Sequence, residues 1–261
     1  MNAPNDLPWY QPVGREVEVF EHASSNRLPV LLKGPTGCGK SRFVEHMAAK
    51  LGRPLITVAC HDDTSAADLL GRWLLRGGQT VWQDGPVTRA VRTGAILYLD
   101  EIAEARPDVT VVLHPLTDHR RELFLDRHDE RLVAPEDFLL VVSYNPGYQR
   151  GLKDLKPSTR QRFVHLVFDY PEPALEAKIV VGETGCSDGV AKRLAALANK
   201  MRAVEHLGGA ERPSTRLLVD AATLISSGLE PRLACRVGLV NPLTDDLELA
   251  DALNDLVSLV F

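Results

Sequence analysis

Gly34-Pro35-Thr36-Gly37-Cys38-Gly39-Lys40-Ser41 decides the fold. The stretch fits the spacing G-x-x-x-x-G-K-[ST] completely. Gly37 and Gly39 carry no Cβ, so successive backbone N–H groups can converge on one anion. A helix that follows aims its positive end at the same anion. Lys40 has the reach for the β- and γ-phosphates of a nucleotide, and the Ser41 hydroxyl suits Mg²⁺. The flanks agree. Pro29 to Lys33 is an apolar run, and Phe43, Val44, Met47, Ala48 and Leu51 share one helical face before Gly52 and Pro54. A chance glycine-rich turn lacks this setting.

Four further apolar runs read as strands: Leu55 to Cys60, Ala95 to Asp100, Phe138 to Asn145 and Phe163 to Asp169. None alternates in polarity, so each is expected to be covered on both faces, as in a parallel sheet between helices. Strands alternating with helices give an α/β sandwich of five strands, whose order the pattern leaves open. After Pro171 and Pro173 only helical stripes continue: Val190, Leu194, Leu197, Met201 and Val204; then Leu217, Leu218, Ala221, Ala222 and Ile225; then Leu249, Leu253, Leu256 and Val260. We expect a nucleotide-binding α/β domain over 1–172 and an all-α domain over 173–261. Two inserts read as hairpins, Arg72 to Trp82 around Gly77-Gly78 and Arg121 to Val133 around a charged tip.

Other polar residues fall where the chemistry needs them. The run 95–100 ends in Asp100-Glu101. The carboxyl end of a buried strand is where ligands bind in open α/β sheets, so Asp100 suits the metal's hydration shell. Glu101 suits accepting a proton from the attacking water, which a nucleotide switch or kinase does not require. An isolated Asp-Glu would be read as a helix cap; beside the glycine loop it reads as catalytic. Asn145 ends another apolar run and can orient water, where an isolated Asn-Pro pair would only start a turn. Arg160 and Arg162 precede Phe163 and are candidates to reach a neighbour's γ-phosphate. Arg216 opens a helix in its first turn, against the macrodipole, which a phosphate partner would explain.

Composition narrows the classes. The 261 residues carry a net charge of −5, with 44% hydrophobic and 25% charged residues. That suits a globular chain with its own core and weighs against one whose main task is gripping nucleic acid. Cys38, Cys60, Cys186 and Cys235 form no C-x-x-C pair and read as reduced thiols. With neither a leader pattern nor a run of 18 apolar residues, we expect a cytoplasmic protein without a membrane span.

The order of Gly34 to Ser41, Asp100-Glu101, Asn145, Arg160/Arg162 and Arg216 resembles AAA+ ATPases of the MoxR branch, within it the CbbQ/NorQ family, and CbbQ-type members most of all. The resemblance covers nearly the whole chain. It implies a P-loop NTPase αβα sandwich with a small all-α lid, in a homo-hexameric ring that binds ATP and Mg²⁺ between subunits. It casts Lys40 and Ser41 as ligands of Mg-ATP, Asp100 and Glu101 as the Walker B acids, and Asn145 as sensor 1. Arg162 or Arg160 becomes the arginine finger, with Arg162 the better match, and Arg216 becomes sensor 2. Val13 and Gly14, within Tyr10 to Gly14, match the adenine-flanking segment, and the hairpins match pore-facing inserts. Trp73-Leu-Leu75 is not the aromatic pair of threading unfoldases, which puts complete threading in doubt. CbbQ-type members act as Rubisco activases with a CbbO-type partner carrying a von Willebrand A domain, releasing inhibitory sugar phosphates. NorQ-type members help mature nitric oxide reductase. A monomeric kinase or switch and a DNA-handling ATPase are the readings from other classes.

Overall fold

A computed structural model describes residues 7–146, 155–203 and 212–261. Two compact units compose it. One holds residues 7 and 8, Gly14–Gly34 and Lys40–Phe168. The other holds Trp9–Val13, Pro35–Gly39 and Asp169–Phe261.

The first unit is built on five parallel strands: β1 (Val30–Lys33), β2 (Leu55–Ala59), β3 (Ile96–Asp100), β4 (Leu139–Tyr144) and β5 (Val164–Val167). Their order is β2-β3-β4-β1-β5. β1 sits between β4 and β5, with Lys33 beside both Tyr144 and Val167. Because β1 leaves toward β2 on one side while β4 continues to β5 on the other, the switch point lies at the carboxyl ends of β1 and β4. Ligands of open α/β sheets bind at that point. The inner strands are buried almost throughout, which accounts for their unbroken apolar runs. The outer two depart from the expectation of two covered faces: β2 and β5 are half exposed, and Val167 is 75% exposed. An edge strand lacks a second neighbour and the helix cover that comes with it.

Around the sheet, Lys40–Lys50 buries Phe43, Val44, Met47 and Ala48. Phe43 packs edge-on to Phe20 and tilted against Phe168. Pro86–Thr93 starts on a proline and ends at Gly94 in the left-handed region. Both hairpins form. Gly71–Arg76 pairs with Gln79–Asp84, and Gly77 and Gly78 both take positive φ in the two-residue turn. Glu122–Leu125 pairs with Glu130–Val133. The two hairpins meet. His128 stacks on Trp82 at 4.8 Å, Trp73 packs edge-on to Trp82, and the Trp73 indole N–H donates to the Arg127 carbonyl at 2.9 Å. Arg92 bridges Asp84 and Glu130.

The second unit is helical: Pro173–Thr184, Asp188–Ala203, Thr215–Ser226, Pro231–Cys235 and Leu247–Ser258, with one π-type turn over Arg236–Val240. Leu194, Leu197, Met201, Leu218, Ala221, Leu253 and Val257 form its core. All but Val257 come from the three expected stripes, of which Leu249, Leu256 and Val260 are only partly buried; Val204 of the first stripe lies outside the described residues. Ser214 and Asp246 cap two of the helices through their side-chain oxygens. Pro173–Thr184 has no stripe of its own in the sequence, because one of its three buried positions is Glu176.

Candidate active site

Three of the loop's glycines are needed for different reasons. A Cβ on Gly34 would come within 2.5 Å of the Phe168 carbonyl oxygen. Gly37, at φ +69°, has Ser214 where its Cβ would stand, at 2.6 Å. Gly39 takes φ +96° and faces open space. A left-handed turn with its amides unobstructed by Cβ atoms is a cradle for an anion, so the loop fits a nucleotide's phosphates.

The sheet order brings the other groups together. Lys40 is buried, and its ammonium donates to the Gly34 carbonyl at 2.8 Å and to Asn145 Oδ1 at 2.7 Å. The Asn145 amide nitrogen donates to Glu101 Oε1 at 3.3 Å. Ser41 Oγ donates to Asp100 Oδ2 at 3.2 Å. The chain thus assembles Lys40, Ser41, Asp100, Glu101 and Asn145 at one end of β1, β3 and β4. Glu101 has φ 55° and ψ 46°, the left-handed region that a non-glycine residue occupies at a cost of about 1–3 kcal/mol. Its side chain makes no capping bond to the turn that follows, so it is not the helix cap an isolated Asp-Glu would suggest.

The remaining sequence candidates stand as follows. Arg162 Nη1 lies 3.6 Å from Asp118 Oδ2, and its Nε is buried without a hydrogen-bond partner among the described residues. Arg120 holds the Asp118 carboxyl well below the usual carboxylate range. Burial, and then the charge of Arg162, lower the pKa of His114. Arg160 ends the turn Pro157–Arg160, and its carbonyl bonds the His165 ring at 2.8 Å. Arg216 is exposed, and its Cβ lies 3.4 Å from where a Gly37 Cβ would be. Among the other loop residues, the Thr36 carbonyl accepts from the Tyr170 hydroxyl at 3.0 Å, Cys38 is buried, and Pro35 shares the segment with them. Val13 is exposed, and the Gly14 amide donates to Glu16 Oε2 at 2.7 Å, where the helix Glu16–Ser25 begins.

Comparison with known proteins fits this geometry. The AAA domain (dynein-related subfamily) matches residues 29–163, and the CbbQ/NirQ/NorQ C-terminal domain matches 176–260. The chain belongs to the CbbQ/NirQ/NorQ family of AAA ATPases. It is 59% identical to protein NorQ of Paracoccus denitrificans, over 100% of this chain and 96% of the relative. It is 60% identical to the denitrification regulatory protein NirQ of Pseudomonas aeruginosa, over 97% of each. It is 56% identical to protein CbbQ of Hydrogenophilus thermoluteolus, over 97% of this chain and 95% of the relative. These identities do not set CbbQ apart from NorQ and NirQ. A RuvB point mutant of Thermotoga maritima shares the fold, with TM-score 0.57 and 16% identity over 93% of this chain and 68% of that one.

The protein is therefore a nucleotide-binding ATPase of the MoxR branch. No helix among the described residues is long and apolar enough to cross a membrane. Two side chains at the site of this ATPase escaped the sequence reading. Tyr98 is buried, and its hydroxyl donates to Asp100 Oδ1 at 2.7 Å and lies 3.3 Å from Ser41 Oγ. Ser143 is fully buried, donates to Asp100 Oδ1, and accepts the Glu101 amide at 3.0 Å. The period of two was the signal: Tyr98 shares a strand face with Asp100, and Ser143 with Asn145. Burial, and next the Asp100 charge, raise the Tyr98 phenol, so it stays a donor. Cys60 is pushed up to about 12, first by burial and then by Asp100 and Glu101, which leaves an inert thiol.

Proposed function

We propose that this ATPase is a hexameric ring motor that works in the cytoplasm and uses Mg-ATP turnover to remodel a client protein. The observation that carries the reading is the continuous line from Lys40 through Asn145 to Glu101, with Ser41 and Asp100 in contact beside it. When bound, Mg-ATP supplies the transferable γ-phosphoryl group and the metal's charge. Gly34 to Gly39 hold the phosphates through their amides, Lys40 places a positive charge there, and Ser41 and Asp100 hold the metal. Glu101 takes a proton from water, and Asn145, bonded to it, orients that water. Arg162 serves the site of a neighbouring subunit, with Arg160 beside it in the chain, and Arg216 senses nucleotide. Val13 and Gly14 flank the base. The two hairpins, held together at Trp82 and His128, present the client-facing surface.

Two clients follow from the family. One is Rubisco carrying an inhibitory sugar phosphate, acted on together with a CbbO-type partner that has a von Willebrand A domain. The other is a denitrification enzyme such as nitric oxide reductase, the client class that the names of the NorQ and NirQ relatives suggest, at identities comparable with that of CbbQ. ATPase assays separate them: turnover rises with inhibited Rubisco plus the partner in the first case and with nitric oxide reductase components in the second. Size measurement with and without ATP tests the ring, and a protein that stays monomeric with nucleotide would overturn the motor reading.

A further inference from the structure

We infer that Tyr98 and Ser143 are positioning residues that divide the two oxygens of Asp100 between structure and metal. This rests on the proposed Mg-ATP site. Oδ1 accepts two hydroxyl donors, Tyr98 at 2.7 Å and Ser143. Oδ2 faces the Ser41 hydroxyl at 3.2 Å. A carboxylate with both donors on one oxygen cannot rotate about its Cβ–Cγ bond without losing them, so Oδ2 stays aimed at Ser41. Both donors are buried and cannot turn to bulk water instead: Tyr98 is 1% exposed and Ser143 0%. Ser143 does a second task. It accepts the amide of Glu101 at 3.0 Å, so one hydroxyl ties the Asp100 carboxylate to the left-handed backbone that carries the next acid. The orientation of both acids is therefore set from beneath, by side chains that need not touch nucleotide.

Tyr98→Phe tests this, because phenylalanine keeps the ring's packing and loses only the hydroxyl. The readout is binding of a fluorescent ATP analogue to the full chain as Mg²⁺ is raised from zero, with melting curves to confirm folding. Outer groups that orient metal ligands are typically worth about 10- to 100-fold in metal affinity. We expect the Mg²⁺ midpoint to rise by about that factor while affinity in chelator stays at the wild-type value. Ser143→Ala reads the same midpoint, shifts it in the same direction, and decides the question if Tyr98→Phe does not fold. A midpoint unchanged in the folded variants overturns the positioning role and leaves the site reading intact. A wild-type protein whose nucleotide affinity ignores Mg²⁺ overturns the site reading, and this inference with it.

Discussion

The two units of this ATPase each hold a carboxylate network, buried in one and open to solvent in the other, and handle it in opposite ways. In the helical unit Glu176 is fully buried and accepts two bonds from Arg202, at 2.8 and 2.7 Å, and one from Thr215 at 2.6 Å. The Arg202 Nε–H goes to the Pro213 carbonyl at 2.8 Å, and the guanidinium lies 4.2 Å over the Tyr170 ring. That acid is neutralised, bidentate, by the chain's own cation. At the sheet edge, Asp100 meets the hydroxyls of Tyr98, Ser143 and Ser41, and Glu101 meets the Asn145 amide. Neutral donors orient an acid without cancelling its charge. An acid closed by an arginine organises the fold; acids held by hydroxyls and an amide remain able to attract a cation or take a proton.

The largest test of this contrast concerns the guanidinium that the proposed site receives from outside. Arg162→Ala is expected to lower turnover about 10³- to 10⁵-fold while ATP still binds. Mixed with Glu101→Gln subunits it should regain turnover, because the intact Arg162 of that neighbour completes the site of the Arg162→Ala subunit. A mixing titration without any recovery sinks the assignment. Glu101→Gln comes next. Replacing the base by its neutral isostere should cost about 10²- to 10⁴-fold in turnover with nucleotide affinity retained. Turnover within a factor of two of wild type would mean that the left-handed acid is not the base.

Glu176→Ala probes the other side of the comparison. Breaking a buried ion pair from one partner typically costs about 3–5 kcal/mol, because the remaining charge stays buried and uncompensated. Denaturant unfolding should show that loss, whereas Glu101→Gln should change stability little. If Glu176→Ala proves as stable as wild type but loses turnover, the contrast between a structural and a functional acid fails.

The same contrast explains how much the sequence revealed. The glycine loop, the acid pair and Asn145 were legible because a spacing rule and a strand end place them. The inner strands were legible because burial on both faces leaves an unbroken apolar run. The order β2-β3-β4-β1-β5 was not, since it depends on which strands pair rather than on any one strand's composition. Pro173–Thr184 was hidden because its inward face spends a position on Glu176, whose partner Arg202 comes from another helix. Tyr98 lies within an apolar run and reads as one more core residue, although the period of two puts its ring on the same face as Asp100. Both hairpins were legible from their turns, yet their contact through Trp82 and His128 was not, because it joins residues 46 apart across two separate inserts.

That contact supports the smallest prediction. Much of the hairpins' apolar surface is open, with Leu75 77% exposed and Val133 62%, while Leu123 and Leu125 anchor the second hairpin in the core. What joins them is a stacked ring pair, an indole-to-carbonyl bond and the Arg92 bridge, which is partly open to water. An aromatic pair is worth about 0.5–1.5 kcal/mol beyond its burial. His128→Ala should therefore loosen the hairpins locally without reaching the carboxylates at the sheet edge. Amide exchange over 71–84 should speed up about 2- to 10-fold, matching that energy, while basal ATP turnover stays at the wild-type level. If turnover without a client falls instead, the hairpins and the sheet edge are one energetic unit, and the separation between orienting donors and surface contacts has to be redrawn.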